Sequence, residues 1–478
     1  MQPNRALKFD FENCEESSTF RTIHYLGSKL RALKFIKKTI DELDPSKKGV
    51  CDLFSGSGVV SHYLSQERTI ISADIQNYST VICGALLNPI SDNFINNFIP
   101  NLKKNKIIDK ELKKFSELIN YEDQILNKDL NNTENVSHFL ENCSIYNFIE
   151  NKDKKISKEL YKILSEAEKK LKNDSNKFII TKYYGGLFFS FKQSIILDII
   201  LNQINKLSKK YKNFLLASLL STASDLVNTV GKQFAQPIRP KNKSNKPKIG
   251  LINQLKKDRN LDVFFQFEKC LNKYSKIKSK NKNHKIFRLD FKDTLEKIDE
   301  KTKIVYADPP YTRDHYSRFY HVLETISLSD SPVVSKTKIG GKLKNSRGMY
   351  REGRHQSDFC IKSKAPNAFE YFFNKVSKKN KILLLSYSPY DENKNSHPRV
   401  VALNVLKKID DLTVNYRKDM LNKTFVELDS QLTFREFLNL VRAKSNSDHI
   451  GVEFFDSNNR FHVKLQIEEC SDEPDSKI

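Results

Sequence analysis

The sequence predicts an α/β fold in which a mostly parallel β-sheet carries helices on both faces. The first observation is a strand–turn–helix–strand order in residues 49–80, where GVCDLF and TIISADI are strands, SGSG is a glycine turn and VVSHYLSQ begins a helix. This order is typical of a βαβ unit. The second observation is that three apolar strands return later, at KIFRLDF (285–291), KIVYADPPY (303–311) and KILLLSYSPY (381–390). We therefore place all five strands in one sheet.

The segment between the second and third strands is helical and charged. DKELKKFSELI and KQSIILDIILNQINKL have the apolar spacing of amphipathic helices. Residues 238–288 carry sixteen lysines and arginines against three acidic residues, and begin with the linker-like RPKNKSNKPKIG. We therefore predict a discontinuous α/β domain (1–85 and 281–410), a helical and basic insertion (86–280), and an α+β extension (411–478). Asn458-Asn459 marks a hairpin turn in that extension.

The composition favours a globular protein with a polyanionic partner. The 478 residues are 38% hydrophobic, enough for two or three domains with real cores, and the formal net charge is +24. A surplus of this size favours nucleic acid as the partner. A general lysine bias of the proteome is the plainer alternative, because Lys, Asn and Ile are all abundant.

The cysteine and histidine patterns argue against a metal centre and a disulfide scaffold. Seven cysteines are dispersed without a C-x-x-C pair, and ten histidines form no ligand cluster. No apolar run approaches the roughly 18 residues of a membrane span, and the first residues do not have the pattern of a signal peptide. We expect reduced thiols, no metal, no membrane association and a cytoplasmic location.

The glycine turn after the first strand is a candidate cofactor site. Asp52, Phe54, Gly56 and Gly58 lie where that strand ends, and open α/β sheets bind ligands at the carboxyl ends of their strands. Asp74 closes the next strand, 22 residues after Asp52. This sequence spacing suits a carboxylate that hydrogen-bonds to ribose hydroxyls. The turn matches neither G-x-G-x-x-G nor the P-loop pattern, so an adenosine without phosphates fits better than a nucleotide.

A third acidic residue, Asp290 in FRLDF, is the candidate partner of the cofactor adenine. The alternative is that Asp290 is a helix N-cap that follows a strand. The two interpretations have equal support from the sequence.

The third notable stretch is Asp308-Pro309-Pro310-Tyr311, which ends a buried strand. A plain turn explains it, because proline lacks the N–H that a strand ladder needs. The functional alternative is a rigid platform, since the residue before each proline is held extended. Asp308 and the Pro309 carbonyl would then be fixed acceptors beside an aromatic ring, which suits a flat substrate with an amino group.

Taken together, these motifs resemble those of the Dam-like adenine-specific DNA methyltransferases. YLGSK (25–29), DLFSGSG (52–58), ADI (73–75), FRLDF (287–291) and DPPY (308–311) occur in the order seen in that family. The resemblance implies a Rossmann-like methyltransferase sheet, S-adenosylmethionine as cofactor and double-stranded DNA as substrate. It also implies a bacterial modification enzyme that acts beside a cognate restriction endonuclease.

The resemblance also assigns roles to individual residues. Tyr25 and Lys29 would belong to an amino-terminal segment that closes over the cofactor, and Phe54 would face its methionine part. The chemistry follows from the DPPY acceptors: Asp308 and the Pro309 carbonyl would draw the two amino hydrogens of adenine, freeing the N6 lone pair. Tyr311 would stack on the base, which must flip out of the duplex.

A second basic stretch, 336–364, holds nine lysines and arginines against two acidic residues. It follows DPPY, whereas the family usually places its target-recognition region between the cofactor turn and that motif. The resemblance thus implies that the insertion (86–280) is the candidate target-recognition region. Arg347, Arg351 and Arg354 are candidates for contacts to guanine edges, and a merely solvated basic loop explains them equally well. Two rival functions remain open, namely an RNA or cytosine-N4 methyltransferase and a non-catalytic DNA-binding protein on the same fold.

Overall fold

The computed structural model describes residues 19–386 except 91, 129–132, 153–155, 173, 175, 176, 280–282, 311–315 and 362, together with four strands beyond residue 411. The strands are β1 (Gly49–Asp52), β2 (Ile70–Asp74), β3 (Lys285–Arg288), β4 (Thr302–Ala307), β5 (Lys336–Ile339), β6 (Lys342–Asn345), β7 (Ile382–Ser386), β8 (Leu412–Asp419), β9 (Phe425–Leu432), β10 (Ile450–Asp456) and β11 (His462–Gln466).

The helices alternate with the early strands and then fill the region between β2 and β3. They are α1 (Leu33–Leu43), α2 (Val59–Ser65), α3 (Asn77–Leu87), α4 (Asn93–Lys104), α5 (Ile107–Lys114), α6 (Ser116–Asp123), α7 (Thr133–Asn142), α8 (Ile145–Glu150), α9 (Lys158–Lys172), α10 (Ile179–Tyr184), α11 (Phe191–Asn205), α12 (Lys209–Leu226), α13 (Ile249–Arg259), α14 (Val263–Ser275), α15 (Phe291–Lys297), α16 (Tyr316–Phe319), α17 (His321–Leu328) and α18 (Ala365–Lys378).

One mixed sheet organises the chain, in the order β3-β2-β1-β4-β7-β11-β10-β8-β9. The pairs from β3 to β11 are parallel, and those from β11 to β9 are antiparallel. β1 lies between β2 and β4, with Val50 beside both Ile70 and Ile304. The predicted α/β fold is confirmed, and β1, β2 and β4 bring three motif-bearing strand ends to the same edge.

Both faces of the central parallel strands β1, β4 and β7 are buried, as expected for parallel strands. Val50, Ile304 and Leu384 pack into one apolar cluster with α1 and α2. The alternate residues Cys51, Val305 and Leu383 are equally buried, and alternation along a strand directs them to the opposite face. The apolar pattern of these strands therefore reflects burial on two sides.

The helical region shares a continuous core with two helices of the sheet layer. α12 packs against α3 and α17, and the buried residues of α9, α11 and α12 join those of α3 and α17 in a single apolar cluster. The helix predicted across 109–119 is divided into α5 and α6 at Phe115, whose φ of −105° and ψ of 17° depart from helical geometry. The region that follows β2 is therefore attached to the active-site half of the sheet through α3 and α17.

The carboxyl-terminal strands extend the main sheet. β10 and β11 pair as the antiparallel hairpin expected from the sequence, and β11 then pairs in parallel with β7. The predicted turn at Asn458-Asn459 lies outside the described residues. A separate short hairpin, β5–β6, forms its own two-stranded sheet. None of the helices in the described ranges is long and apolar enough to cross a membrane.

Candidate active site

A pocket of about 950 Å³ opens at the carboxyl ends of β1, β2 and β4. Phe54, Asp74, Asp290, Asp308 and Pro310 line it, together with Tyr25 of the amino-terminal segment. The pocket therefore unites six of the predicted site residues that lie far apart in the sequence.

The glycine turn after β1 holds a conformation that requires glycine. Gly56 and Gly58 have φ values of +51° and +74°, which L-residues with side chains rarely adopt. A Cβ on Gly56 would lie 2.5 Å from Tyr25 Oη. The Gly56 N–H donates to Asp74 Oδ2 at 2.9 Å. The turn thus joins the ends of β1 and β2 and lets Tyr25 lie directly on the backbone.

Asp74 lies at the predicted place, at the end of β2 on the pocket wall. Its second oxygen, Oδ1, accepts a hydrogen bond from the Gln76 N–H at 2.8 Å. Burial raises the pKa of this carboxyl, and the bonds from the Gln76 and Gly56 N–H groups oppose the rise. Two backbone donors therefore fix the carboxylate in one orientation at the pocket.

Asp52 lies beneath the turn and is not among the described residues that line the pocket. It is 2% exposed, and its Oδ2 accepts hydrogen bonds from the Ser61 N–H at 3.1 Å and the Ser61 hydroxyl at 2.6 Å. Burial raises the pKa of Asp52 to about 7, and the carboxylates of Asp308 and Asp74 add to the rise. These contacts tie β1 to the first turn of α2.

Asp52→Asn is expected to remove a pH-dependent part of the stability. Because the pKa of Asp52 is higher in the folded chain than the ordinary value of 3.8, folding favours the protonated form. The contribution of Asp52 to stability is fully present below the pKa that this residue has in the unfolded chain. It is lost as pH rises through the folded-state pKa of about 7. Denaturant unfolding between pH 4 and 8 should show a smaller fall in stability for the variant than for wild type. Identical pH profiles of stability for the variant and the wild type would contradict the raised pKa of Asp52.

Asp308 follows directly after β4 and is paired with Lys29. Lys29 Nζ lies 2.9 Å from Asp308 Oδ2, and the two side chains are 5% and 21% exposed. Lys29 Nζ also donates to the Gly27 carbonyl at 3.3 Å. The ion pair fixes the carboxylate at the pocket and joins the amino-terminal segment to the strand end. Lys29 itself does not appear among the described lining residues.

A tyrosine cluster holds the amino-terminal segment in place. The rings of Tyr25 and Tyr320 stack with centroids 4.9 Å apart. Tyr320 Oη accepts a hydrogen bond from the Leu26 N–H at 2.7 Å, and Tyr78 lies against the same ring. Tyr320 is 1% exposed. Its role as a support of the pocket follows from this packing beneath Tyr25.

The remaining DPPY residues are only partly described. Pro309 is buried, and Pro310 is half-buried and accepts a hydrogen bond from Cys360 Sγ at 3.3 Å. Tyr311 lies outside the described residues. The sulfur contact connects the DPPY backbone to a later part of the chain.

Asp290 is a helix N-cap, as one of the two alternatives predicted, and it also lines the pocket. Its Oδ1 caps α15 by accepting a hydrogen bond from the Asp293 N–H at 2.9 Å, and the same residue lines the pocket. Phe291, the next residue, also lines the pocket and lies 6.3 Å from the Phe54 ring. The cap fixes the carboxylate at the pocket wall.

Sequence reasoning missed one wall of the pocket. His355, Ser357, Asp358 and Cys360 line it from a loop before α18. Partial burial lowers the pKa of His355 from its ordinary 6.5, and the carboxylates of Asp290, Asp358 and Asp74 oppose the fall. With Asp74, Asp290 and Asp308, the loop residue Asp358 gives the pocket four carboxylates. A protein of net charge +24 thus contains an acidic pocket that suits a cationic ligand.

The family assignment rests on a match that spans this whole arrangement. The family model of the D12 class N6 adenine-specific DNA methyltransferases matches residues 25–143 and 139–388, which include Tyr25, the glycine turn and DPPY. The chain belongs to the D12 class of N6 adenine-specific DNA methyltransferases. The family expected from the ordered motifs is thereby confirmed.

Three curated proteins resemble this D12 methyltransferase. Modification methylase LlaI of Lactococcus lactis subsp. lactis is 26% identical over 375 residues, 77% of this chain and 47% of that protein. Type II methyltransferase M.FokI of Planomicrobium okeanokoites is 23% identical, and modification methylase StsI of Streptococcus sanguinis is 24% identical, each covering 77% of this chain and 44% of the relative. The chain spans about half the length of these relatives. No solved structure shows a significant match.

The three arginines predicted to contact DNA have different environments in the D12 methyltransferase. Arg351 forms two hydrogen bonds of 2.6 Å with the Asp330 carboxylate and a third with Thr325 Oγ1 at 3.0 Å. Arg347 donates to the Ile238 carbonyl at 2.9 Å. Arg354 lies over the Tyr350 ring at 5.3 Å. The bidentate bond to Asp330 favours a structural role for Arg351.

The methyltransferase shows no group of metal ligands in the part of the chain that the structure describes. No three His, Cys, Asp or Glu side chains lie together there as a metal ion would require. The five cysteines within the described residues are buried free thiols: Cys51, Cys83, Cys143, Cys270 and Cys360. Cys360 alone among them lines the pocket.

Proposed function

We propose that this chain transfers a methyl group from S-adenosylmethionine to N6 of an adenine flipped out of double-stranded DNA. The observation that carries the proposal is the placement of Asp308 and Pro310 on the wall of an acidic pocket, directly after the end of β4. Membership in the D12 class supports adenine N6 as the acceptor. The alternative acceptor, N4 of cytosine, gains no support from the site.

The residues of the pocket fit S-adenosylmethionine. The cofactor supplies an electrophilic methyl group on a cationic sulfonium, and the four carboxylates of the pocket are opposite in charge. We assign the ribose hydroxyls to Asp74 and the adenine to Asp290, with Phe54 against the methionine part. Gly56 and Gly58 shape the turn that holds Asp74, and Asp52 supports that turn from below.

The acceptors at the end of β4 would activate the target base. The N6 lone pair of adenine is delocalised into the ring, so it is a weak nucleophile. Asp308 and the Pro309 carbonyl would accept the two amino hydrogens and localise that lone pair. Charge that develops on nitrogen is stabilised by acceptors that are fixed in advance. Lys29 contributes by holding Asp308 in position before the base arrives.

The DNA surface is assigned to basic elements around this pocket. The hairpin β5–β6 exposes Lys336, Lys338, Lys342 and Lys344, and Leu343 at its tip is 72% exposed. A two-stranded ribbon fits the major groove of B-DNA. We propose this hairpin as a groove-contacting element, with lysines that contact the phosphate backbone.

The biological role follows from the relatives. Two of them carry the name modification methylase and one the name Type II methyltransferase. We propose that this chain likewise protects DNA beside a restriction endonuclease of the same specificity, as a cytoplasmic bacterial enzyme. This partnership is functional and requires no physical contact.

The experiment incubates the purified protein with methyl-labelled S-adenosylmethionine and unmethylated bacterial DNA, followed by digestion to nucleosides. Label is expected in N6-methyldeoxyadenosine, and sequencing of the same DNA gives the recognition site. Label in N4-methyldeoxycytidine would overturn the choice of base. An RNA sample is treated in parallel, and equilibrium binding of S-adenosylmethionine is measured. Bound cofactor without label in DNA or RNA would favour a non-catalytic DNA-binding protein.

A further inference from the structure

Two arginines from separate segments lie over one tyrosine ring beside the pocket. The Arg318 and Arg354 guanidinium carbons lie 5.2 and 5.3 Å from the centroid of the Tyr350 ring. The ring is 7% exposed, and its hydroxyl donates a hydrogen bond to the Ala235 carbonyl. We call Arg318, Tyr350 and Arg354 the arginine stack. Stacking on an aromatic ring holds a guanidinium while its N–H groups remain available.

The arginine stack lacks the counter-charge that the neighbouring Arg351 has. Arg351 is neutralised by Asp330, whereas no salt bridge joins Arg318 or Arg354 to any carboxylate of the described residues. Arg354 Nε is buried without a hydrogen-bond partner there. Burial and then the charge of Arg318 hold the pKa of Arg354 below its ordinary value. Two like charges are therefore kept close together, an arrangement that an anion would stabilise.

The position of the arginine stack connects the pocket with the basic hairpin. Arg318 follows the lining residue Ser317, and Arg354 precedes the lining residue His355. Arg318 is exposed and Arg354 is half-buried. At the other side, the Ser335 N–H at the base of β5 donates to the Tyr350 carbonyl at 2.7 Å. The stack thus adjoins pocket-lining residues on one side and is hydrogen-bonded to the base of the hairpin on the other.

We propose that the arginine stack binds backbone phosphate of the DNA strand that carries the target adenine, beside the nucleotide that enters the pocket. The inference rests on the proposed function and adds the phosphate contact at the pocket rim. Guanidinium groups suit this ligand because their paired N–H donors match phosphate oxygens. A flipped nucleotide keeps its backbone phosphates at the mouth of its pocket, so cations are needed there.

The test measures the salt dependence of binding to a mixed-sequence DNA duplex, with variants Arg318→Gln and Arg354→Gln. Each lost phosphate contact lowers the slope of log K against log salt by about 0.9. We expect each variant to show a slope reduced by about that amount and roughly tenfold weaker binding at 0.1 M salt. Arg318→Lys and Arg354→Lys keep the charge and should retain most of the slope.

The matched control is Lys162→Gln, which removes one exposed charge on α9. Binding of S-adenosylmethionine and the melting temperature verify that each variant is folded. Because Arg318 is exposed, its substitutions are expected to leave the fold intact. Wild-type slopes in both folded glutamine variants would overturn the arginine stack as a phosphate site. The readout is binding alone, so it is separable from catalysis. If the variants show reduced slopes but the wild-type protein does not methylate adenine, the proposed function is wrong. The arginine stack would then still be supported as a phosphate site.

Discussion

Asp308→Asn is expected to lower the rate of methyl transfer by about two to three orders of magnitude while binding of cofactor and DNA stays close to wild type. Asparagine has the same shape, but its amide replaces one acceptor oxygen by a donor and removes the negative charge. Loss of one preorganised electrostatic contact lowers kcat by roughly 10²–10³-fold. The measurement is single-turnover methylation at saturating DNA and S-adenosylmethionine, with both affinities determined separately.

Asp109→Asn, an exposed carboxylate on α5, is the matched control and should retain wild-type kcat. Because Lys29 is buried and paired with Asp308, the melting temperature of the Asp308 variant must also be compared with wild type. A folded Asp308→Asn enzyme with wild-type kcat would show that the proposed activation of N6 is wrong. An equal loss in the control would point to a general effect of charge.

Arg259→Met is expected to lower the free energy of unfolding by about 3–5 kcal/mol, the cost of leaving one member of a buried ion pair without its partner. Arg259 and Glu122 are each 2% exposed and form a direct salt bridge. Arg259 Nη2 also donates to the Gly186 carbonyl at 2.6 Å, and Glu122 Oε2 accepts from the Phe191 N–H. Equilibrium urea unfolding followed by circular dichroism measures the change.

The double variant Glu122→Gln, Arg259→Met tests the cause of this loss. Neutralising the partner removes the uncompensated charge, so the double variant should be more stable than Arg259→Met alone. The exposed Arg239 gives the control substitution, Arg239→Met, which should change stability by less than about 0.5 kcal/mol. A double variant that is less stable than the single one would contradict the charge explanation.

The sequence predicts the parts of the site that consist of turns and strand ends, because local residue patterns determine those features. Gly56 and Asp74 could be predicted because a glycine turn and an acidic strand end recur at fixed places in βαβ units. The end of β4 was also predictable, since Pro309 cannot continue a strand. Asp290 shows the limit of such reasoning, because one carboxylate caps a helix and lines the pocket at once.

Other parts of the site depend on contacts between segments that no spacing encodes. His355 and Asp358 reach the pocket from a loop that follows the basic hairpin. The pairing of Arg351 with Asp330 and the stacking of Arg318 on Tyr350 join residues more than twenty positions apart. The joining of β11 to β7 is of the same kind. Tertiary packing decides these contacts, so local patterns in the chain cannot predict them.

The pairing of β2 with β3 and of β1 with β4 has a consequence for synthesis on the ribosome. β2 ends at Asp74 and its partner β3 begins only at Lys285, so the growing chain carries the first two strands long before their neighbours exist. At elongation rates of roughly 5–20 residues per second, more than two hundred residues take about 10–40 s. During that interval the edges of β1 and β2 are open to wrong partners. Asp308 is synthesised long after Lys29, so a nascent chain cannot form the ion pair between them before β4 has emerged.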